Sequence, residues 1–167
     1  VTLDGDFTLE GWYYVTNKEK LRGGTVGDTS ENHVPPGIEF YRSGTDGGMI
    51  VAYTNKTRII EGSSDALENE WQHIALVRQG STMTLYLNGS SIGTTTNSTT
   101  FSGPIRPGCE YYDGVAYPLA GFMDEYRVSK TARYTTNFTP PTRPFGGGLR
   151  MKAPDGKVYA LSLSGSI

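Results

Sequence analysis

The stretch from Trp71 to Thr96, WQHIALVRQGSTMTLYLNGSSIGTTT, predicts two consecutive β-hairpins. Apolar and polar residues alternate through it, as they do in strands that bury one face. Gln79-Gly80 and Asn88-Gly89 interrupt the alternation, and an Asn-Gly pair between alternating runs is a strong signal of a tight hairpin turn. We therefore expect antiparallel strands over residues 71–78, 82–88 and 91–96.

The same alternation recurs along the chain. In Phe7–Val15, FTLEGWYYV, one face carries Phe7, Leu9 and Tyr13 and is expected to be core, while the other face is polar and aromatic. Further strands are predicted at Ile38–Arg42, Met49–Thr54 and Gly121–Ser129, with a short strand near 104–106 and one helical turn at 131–134.

Composition agrees with an all-β domain. Only 36% of the 167 residues are hydrophobic, and 22 glycines and 9 prolines supply many turns. No window keeps a helical period over the length of an ordinary helix. The sequence therefore predicts a sandwich of two antiparallel sheets.

Charge and cysteine content exclude several classes of protein. The formal net charge is −2 and no long run of one sign occurs, which argues against a nucleic-acid or polybasic membrane surface. No apolar stretch is long enough to span a membrane. Cys109 is the single cysteine, so no intrachain disulfide can form, and the two histidines have no neighbours suited to a zinc site. The chain begins with Val1, so we expect a processed product or a piece of a longer polypeptide.

The C-terminal residues are predicted to form a separate unit. We divide the chain into a domain over residues 1–145 and an arm or hairpin over residues 146–167, joined by Gly146-Gly147-Gly148. The arm is too short to have its own core. We expect it to dock in extended form on the main domain or on a partner chain.

Four signatures in this order resemble the laminin-G-like branch of the concanavalin A-like lectin/glucanase superfamily. They are DFTLEGWYYVT at 6–16, WQHIALV at 71–77, LYLNG at 85–89 and GFMDEYRV at 121–128. The resemblance covers about residues 1–145 and implies a concanavalin A-like jelly-roll sandwich. Many such relatives are non-catalytic modules that bind carbohydrate or protein. The closing run ARYTTNFTPPTRPF is similar to copies in phage and environmental bacterial sequences.

The adjacent acids Asp124 and Glu125 raise the alternative of a glycosidase. A retaining glycosidase needs two carboxylates about 5–5.5 Å apart across one bond, whereas consecutive residues of a regular strand point to opposite faces. We therefore predict no catalysis, with Asp124 on the core face beside Phe122. Glu125 and Arg127 are expected on the opposite face, where Arg127 forms an exposed ion pair with Glu10.

Glycan binding is expected where aromatic side chains are exposed beside polar groups. Trp71 is expected to be packed. The candidate glycan-binding residues are Tyr111, Tyr112, Asp113, Tyr117, Trp12 and Tyr14. Calcium is common in the superfamily and needs several oxygen ligands, and the candidate calcium residues are Asp28, Asp46 and Asp113.

The functional prediction is a non-catalytic module of a virion or phage surface structure, such as a fibre, an appendage or a capsid decoration protein. It would act through protein–protein contacts, as a homo-oligomer, and through adhesion to surface glycans. The alternative is an extracellular lectin module of a secreted bacterial enzyme or adhesin, and a glycoside hydrolase is the third hypothesis.

Overall fold

The computed structural model describes residues 1–17, 36–43, 46–54, 57–112, 115–145, 149–152 and 158–164. Residues 41–43, 46–47, 110–112, 149–152 and 158–164 are described by their backbone alone. The described part contains strands and no helix. The strands are β1 (Thr2–Leu3), β2 (Phe7–Val15), β3 (Gly37–Ser43), β4 (Asp46–Thr54), β5 (Thr57–Asp65), β6 (Trp71–Gln79), β7 (Thr82–Leu87), β8 (Ser90–Thr96), β9 (Phe101–Ser102), β10 (Cys109–Tyr112), β11 (Val115–Pro118), β12 (Gly121–Ser129), β13 (Leu149–Lys152) and β14 (Val158–Ser164).

Two sheets form the sandwich. One has seven strands in the order β13-β14-β12-β2-β6-β7-β8, and the other has three strands in the order β3-β4-β5. Two small pairs, β1-β9 and β10-β11, complete the described strands. All of these pairings are antiparallel except that of β14 with β12, which is parallel. The predicted all-β sandwich is confirmed.

The core lies between these two sheets. Phe7, Leu9 and Tyr13 of β2 are fully buried, and they meet Phe40 and Ile50 of the three-stranded sheet in one apolar cluster. Tyr13 and Phe40 pack edge to face, with ring centroids 5.8 Å apart. The alternation of β2 therefore identified its inner face correctly.

The predicted turn at Asn88-Gly89 is present. Asn88 has a φ of 47° and Gly89 a φ of 81°, and positive φ at both central residues is what a two-residue type I′ hairpin requires. The Asn88 side-chain oxygen also accepts the backbone N–H of His73 at 2.8 Å. The turn thus fixes the register of β7 against β8.

Several sequence predictions were wrong. Residues 104–106 form no strand, and residues 131–134 form no helical turn. Strand β5 was missed because its second half, EGSSD, lacks apolar residues. It is a strand because it pairs with β4, through two irregularities of register.

The outer face of the seven-stranded sheet, which points away from the three-stranded sheet, is partly covered by residues 130–145, here called the crossing segment. Its course is fixed by hydrogen bonds of its own backbone groups. Thr8 Oγ1 donates to the carbonyl of Thr131 at 2.8 Å, and the Phe138 N–H donates to the carbonyl of Gly89 at 2.9 Å. The crossing segment therefore spans the sheet from β2 to the β7–β8 turn.

The C-terminal strands extend this sheet. β13 and β14 pair antiparallel, and β14 lies parallel to β12, with Arg127 opposite Ser162. The described strands of the arm, β13 and β14, thus extend the sheet of their own domain.

Candidate functional site

An exposed row of aromatic side chains crosses one end of the outer face. Phe122 on β12 is the cross-strand partner of Tyr14 on β2, which in turn is the partner of Trp71 on β6. Neighbouring rings are in contact, with centroids 5.5 Å apart for Tyr14–Trp71 and 6.0 Å for Tyr14–Phe122. Trp71 is 47% exposed and Phe122 is 62% exposed. We call these three side chains the aromatic row.

A groove of about 440 Å³ opens beside the aromatic row. Trp12 and Trp71 line it. One wall is the end of the crossing segment, and Asp124 and Glu125 line the groove as well. The wall residues are Pro141, Thr142, Arg143 and Pro144. The volume lies in the range of small-ligand pockets.

A β-bulge brings both acids to the groove. Asp124 is opposite Trp12 and Arg127 is opposite Glu10, so two residues of β12 face a single residue of β2. Glu125 has a φ of 50°, a conformation that is uncommon for a residue other than glycine.

The prediction of opposite faces was therefore wrong. Asp124 lines the outer groove and Phe122 is exposed, so neither is a core residue. Asp124 Oδ1 accepts the Glu125 backbone N–H at 2.8 Å. Glu125 Oε2 accepts the Phe145 backbone N–H at 2.5 Å. The two carboxylates thus hold the bulge and the end of the crossing segment.

Behind the groove lies a buried polar network centred on Glu10, which is fully buried. Arg127 donates to Glu10 Oε1 from Nε at 2.8 Å and from Nη2 at 2.6 Å. The Tyr134 hydroxyl donates to Glu10 Oε2 at 2.8 Å, and His73 Nε2 lies 3.2 Å from the same oxygen. The predicted Glu10–Arg127 contact is confirmed. Its predicted exposure was wrong because the crossing segment covers it.

These contacts set the protonation states of the network. Burial alone would raise the pKa of Glu10, but the hydrogen bond with His73, the charge of Arg127 and the Tyr134 hydroxyl outweigh it and hold that pKa below the usual value. Burial and the Glu10 carboxylate raise the pKa of Tyr134 well above its usual range. Glu10 is therefore ionised and the Tyr134 hydroxyl is protonated at neutral pH.

Aromatic rings seal the network from solvent. Phe138 stacks on Tyr134 with centroids 3.5 Å apart and packs edge to face on Tyr86 at 5.3 Å. The Arg127 guanidinium lies 3.6 Å from the centroid of Phe145. The sealed part of the outer face is structural, and the groove beside it is open to solvent.

The structure brings together two of the predicted glycan-binding residues, Trp12 and Tyr14. Tyr117 lies elsewhere, half-buried on β11 in the small β10–β11 sheet. Tyr111 and Tyr112 belong to β10, but their side chains lie outside the description, as does all of Asp113. Trp71 was missed because it was expected to be packed. Side chains alternate along a strand, and Ile74 and Leu76 of β6 are buried in the core, so Trp71 lies on the opposite, outer face.

The predicted calcium residues are not tested. Asp28 and Asp113 lie outside the described residues, and Asp46 at the start of β4 is described by its backbone alone. No group of three metal-ligating side chains occurs among the residues described. Calcium binding stays a prediction.

The described part of the chain contains no helix with the length and hydropathy of a membrane span.

Comparison with known proteins identifies a family and a fold. The laminin-G-type model of the concanavalin A-like lectin/glucanases superfamily matches residues 1–136. A search of curated proteins gives no match to the sequence.

Three solved structures are similar to this chain, each at an identity that indicates the fold alone. A candidate carbohydrate-binding protein from Bacteroides ovatus has 17% identity and a TM-score of 0.65, and the alignment covers 95% of this chain and 52% of that one. Domain 4 of AbnA, a GH43 extracellular arabinanase from Geobacillus stearothermophilus, solved with arabinotriose, has 20% identity and a TM-score of 0.55, with 77% and 62% covered. A heptameric SAP-like pentraxin from Limulus polyphemus has 17% identity and a TM-score of 0.59, with 80% and 67% covered. The chain thus spans about half the length of the Bacteroides protein.

Proposed function

Because the chain belongs to the concanavalin A-like lectin/glucanase superfamily, we propose that it is a non-catalytic carbohydrate-binding module whose ligand lies in the groove beside the aromatic row. The observation that carries the proposal is the aromatic row itself, with Trp71 and Phe122 exposed on either side of Tyr14 on one sheet face. Sugar rings pack their apolar faces on aromatic side chains, and their hydroxyl groups need polar partners. The groove offers both.

The acid pair supports binding rather than hydrolysis. A glycosidase requires two carboxylates free to act on one bond. Here each carboxylate accepts a backbone N–H, Asp124 from Glu125 and Glu125 from Phe145. Both carboxylates therefore help to shape the groove. Hydrolysis of any polysaccharide by the wild type, abolished in Glu125→Gln, would contradict this assignment.

The test of the binding site is substitution of the aromatic row. Trp71→Ala should weaken oligosaccharide binding about tenfold, which corresponds to the loss of about 1.4 kcal/mol of stacking energy. Phe122→Ala should weaken binding less and leave the melting temperature nearly unchanged, because its side chain is mostly exposed. Isothermal titration calorimetry with a series of plant and bacterial oligosaccharides measures both effects.

Val115→Ala is the matched control, because Val115 is 49% exposed but lies on β11, outside the groove. It should leave binding unchanged. Wild-type affinity in Trp71→Ala would place the ligand elsewhere and refute the proposed site.

The setting of the module is proposed from the sequence, as the surface of a phage or other virion, where homo-oligomers would present several grooves. Its support is the closing run at residues 132–145, which is similar to phage copies. The arabinanase domain solved with arabinotriose favours the alternative, an extracellular module of a secreted bacterial protein. Light scattering distinguishes these settings, since the virion proposal predicts a stable oligomer and the alternative predicts a monomer.

A further inference from the structure

We infer that the groove selects neutral oligosaccharides that lie across the strands, and that Asp124 accepts hydrogen bonds from their hydroxyl groups. The inference rests on the proposed function and adds the class of ligand, its direction and a specificity-determining side chain.

The direction follows from the register of the aromatic row. Phe122, Tyr14 and Trp71 are direct cross-strand neighbours, so the row runs perpendicular to the strands. Two strand spacings of about 4.8 Å give the row a length of about 10 Å, enough for about two sugar rings. A glycan laid along the row can pack successive rings on successive aromatic side chains.

The class of ligand follows from charge. Two acids, Asp124 and Glu125, and one arginine, Arg143, line the groove. The acids are half-buried and Arg143 is exposed. Glu70, also exposed, precedes Trp71 in the chain. A uronate or sulfate in the groove would lose hydration beside the half-buried acids, whose like charges water screens poorly. Arg143 attracts the anion more weakly, because solvent screens its exposed side chain. A neutral sugar has no such cost.

The role of Asp124 follows from its hydrogen bonds. Oδ1 accepts the Glu125 N–H, and among the described residues Oδ2 has no donor. Asp124 is the cross-strand partner of Trp12, two residue pairs along the strands from the aromatic row and the next pair on the same face. Oδ2 can therefore accept hydroxyl groups from a sugar packed on the row, and hydrogen bonds to a charged acceptor are strong.

The experiment is affinity gel electrophoresis of the full chain against neutral polysaccharides (arabinan, xylan and mixed-linkage β-glucan) and acidic ones (polygalacturonate and alginate). We expect at least one neutral polysaccharide to retard the wild type, and the acidic ones to leave its mobility unchanged. Asp124→Asn keeps an oxygen for the Glu125 N–H. It should weaken retention by the neutral ligand at least tenfold without lowering the melting temperature.

Asp65→Asn is the charge-matched control, because Asp65 is exposed at the end of β5 on the other sheet. It should behave as the wild type. Stronger retardation by polygalacturonate or alginate than by every neutral polysaccharide overturns the charge argument. Unchanged neutral binding in Asp124→Asn, together with lost binding in Trp71→Ala, overturns the role of Asp124 and leaves the proposed site intact. No retardation by any of these polysaccharides refutes the inference and the proposed function together.

Discussion

Replacement of Glu10 by glutamine tests whether the buried network stabilises the outer face. Glutamine has nearly the same shape and keeps an oxygen that can accept the Tyr134 hydroxyl. It removes the charge that faces Arg127, whose side chain is only 11% exposed. The substitution therefore isolates the electrostatic part of the network.

The magnitude follows from burial. Removal of one partner of a buried ion pair costs about 3–5 kcal/mol, because the remaining charge has no partner. Arg127 keeps some solvent contact and its position over the Phe145 ring, so we expect the lower end, about 3 kcal/mol. For a domain of this size, that loss lowers the melting temperature by about 6–12 °C.

The effect should depend on pH in a defined direction. The folded-state pKa of Glu10 lies below its ordinary value, so the unfolded chain takes up the proton more readily. The stabilisation is then complete above the ordinary glutamate value of about 4.3 and is lost as pH falls through the lower folded-state pKa. The wild type should therefore lose its advantage over Glu10→Gln below about pH 4.

The assay is urea unfolding of both proteins, followed by tryptophan fluorescence from pH 7 to pH 3. Glu61→Gln is the control, since Glu61 pairs with Arg58 at 2.7 Å on an exposed strand and its side chain is 62% exposed. That control should cost below about 1 kcal/mol. Equal unfolding free energies of the wild type and Glu10→Gln at pH 7 would falsify the electrostatic argument. So would a difference that stays constant down to pH 3.

Gly89→Ala and Phe138→Ala, with Gly80→Ala as a control, test the crossing segment. A Cβ on Gly89 would lie 1.7 Å from the Phe138 carbonyl oxygen, so Gly89→Ala should displace the segment and cost about 2–3 kcal/mol in chemical unfolding. Gly80→Ala has a similar positive φ but no atom within 4 Å, and it should cost only about 1 kcal/mol; equal costs would argue against the contact. Phe138→Ala should lower the free energy of unfolding by about 2–3 kcal/mol, because the ring is half-buried against Tyr134. An unchanged urea midpoint would show that the stack contributes little.

The sequence by itself determined several of the strands and the inner face of β2. Alternation depends on neighbouring residues of one chain, so Phe7–Val15 and Gly121–Ser129 were predicted with the bounds that the structure has. The Asn88-Gly89 turn is local for the same reason. Parity also placed Glu10 beside Arg127, once the family resemblance made their strands neighbours.

Only the tertiary structure decided which parts of the outer face are buried and which are open. The bulge at Glu125 is a mismatch in residue count between β12 and β2, and such a mismatch belongs to a pair of strands rather than to either sequence. The crossing segment likewise buries Glu10 and leaves Trp71 exposed because of its path across the sheet. That path depends on contacts between residues far apart in the chain, such as Phe138 with Gly89, and local patterning of hydrophobic residues does not encode them.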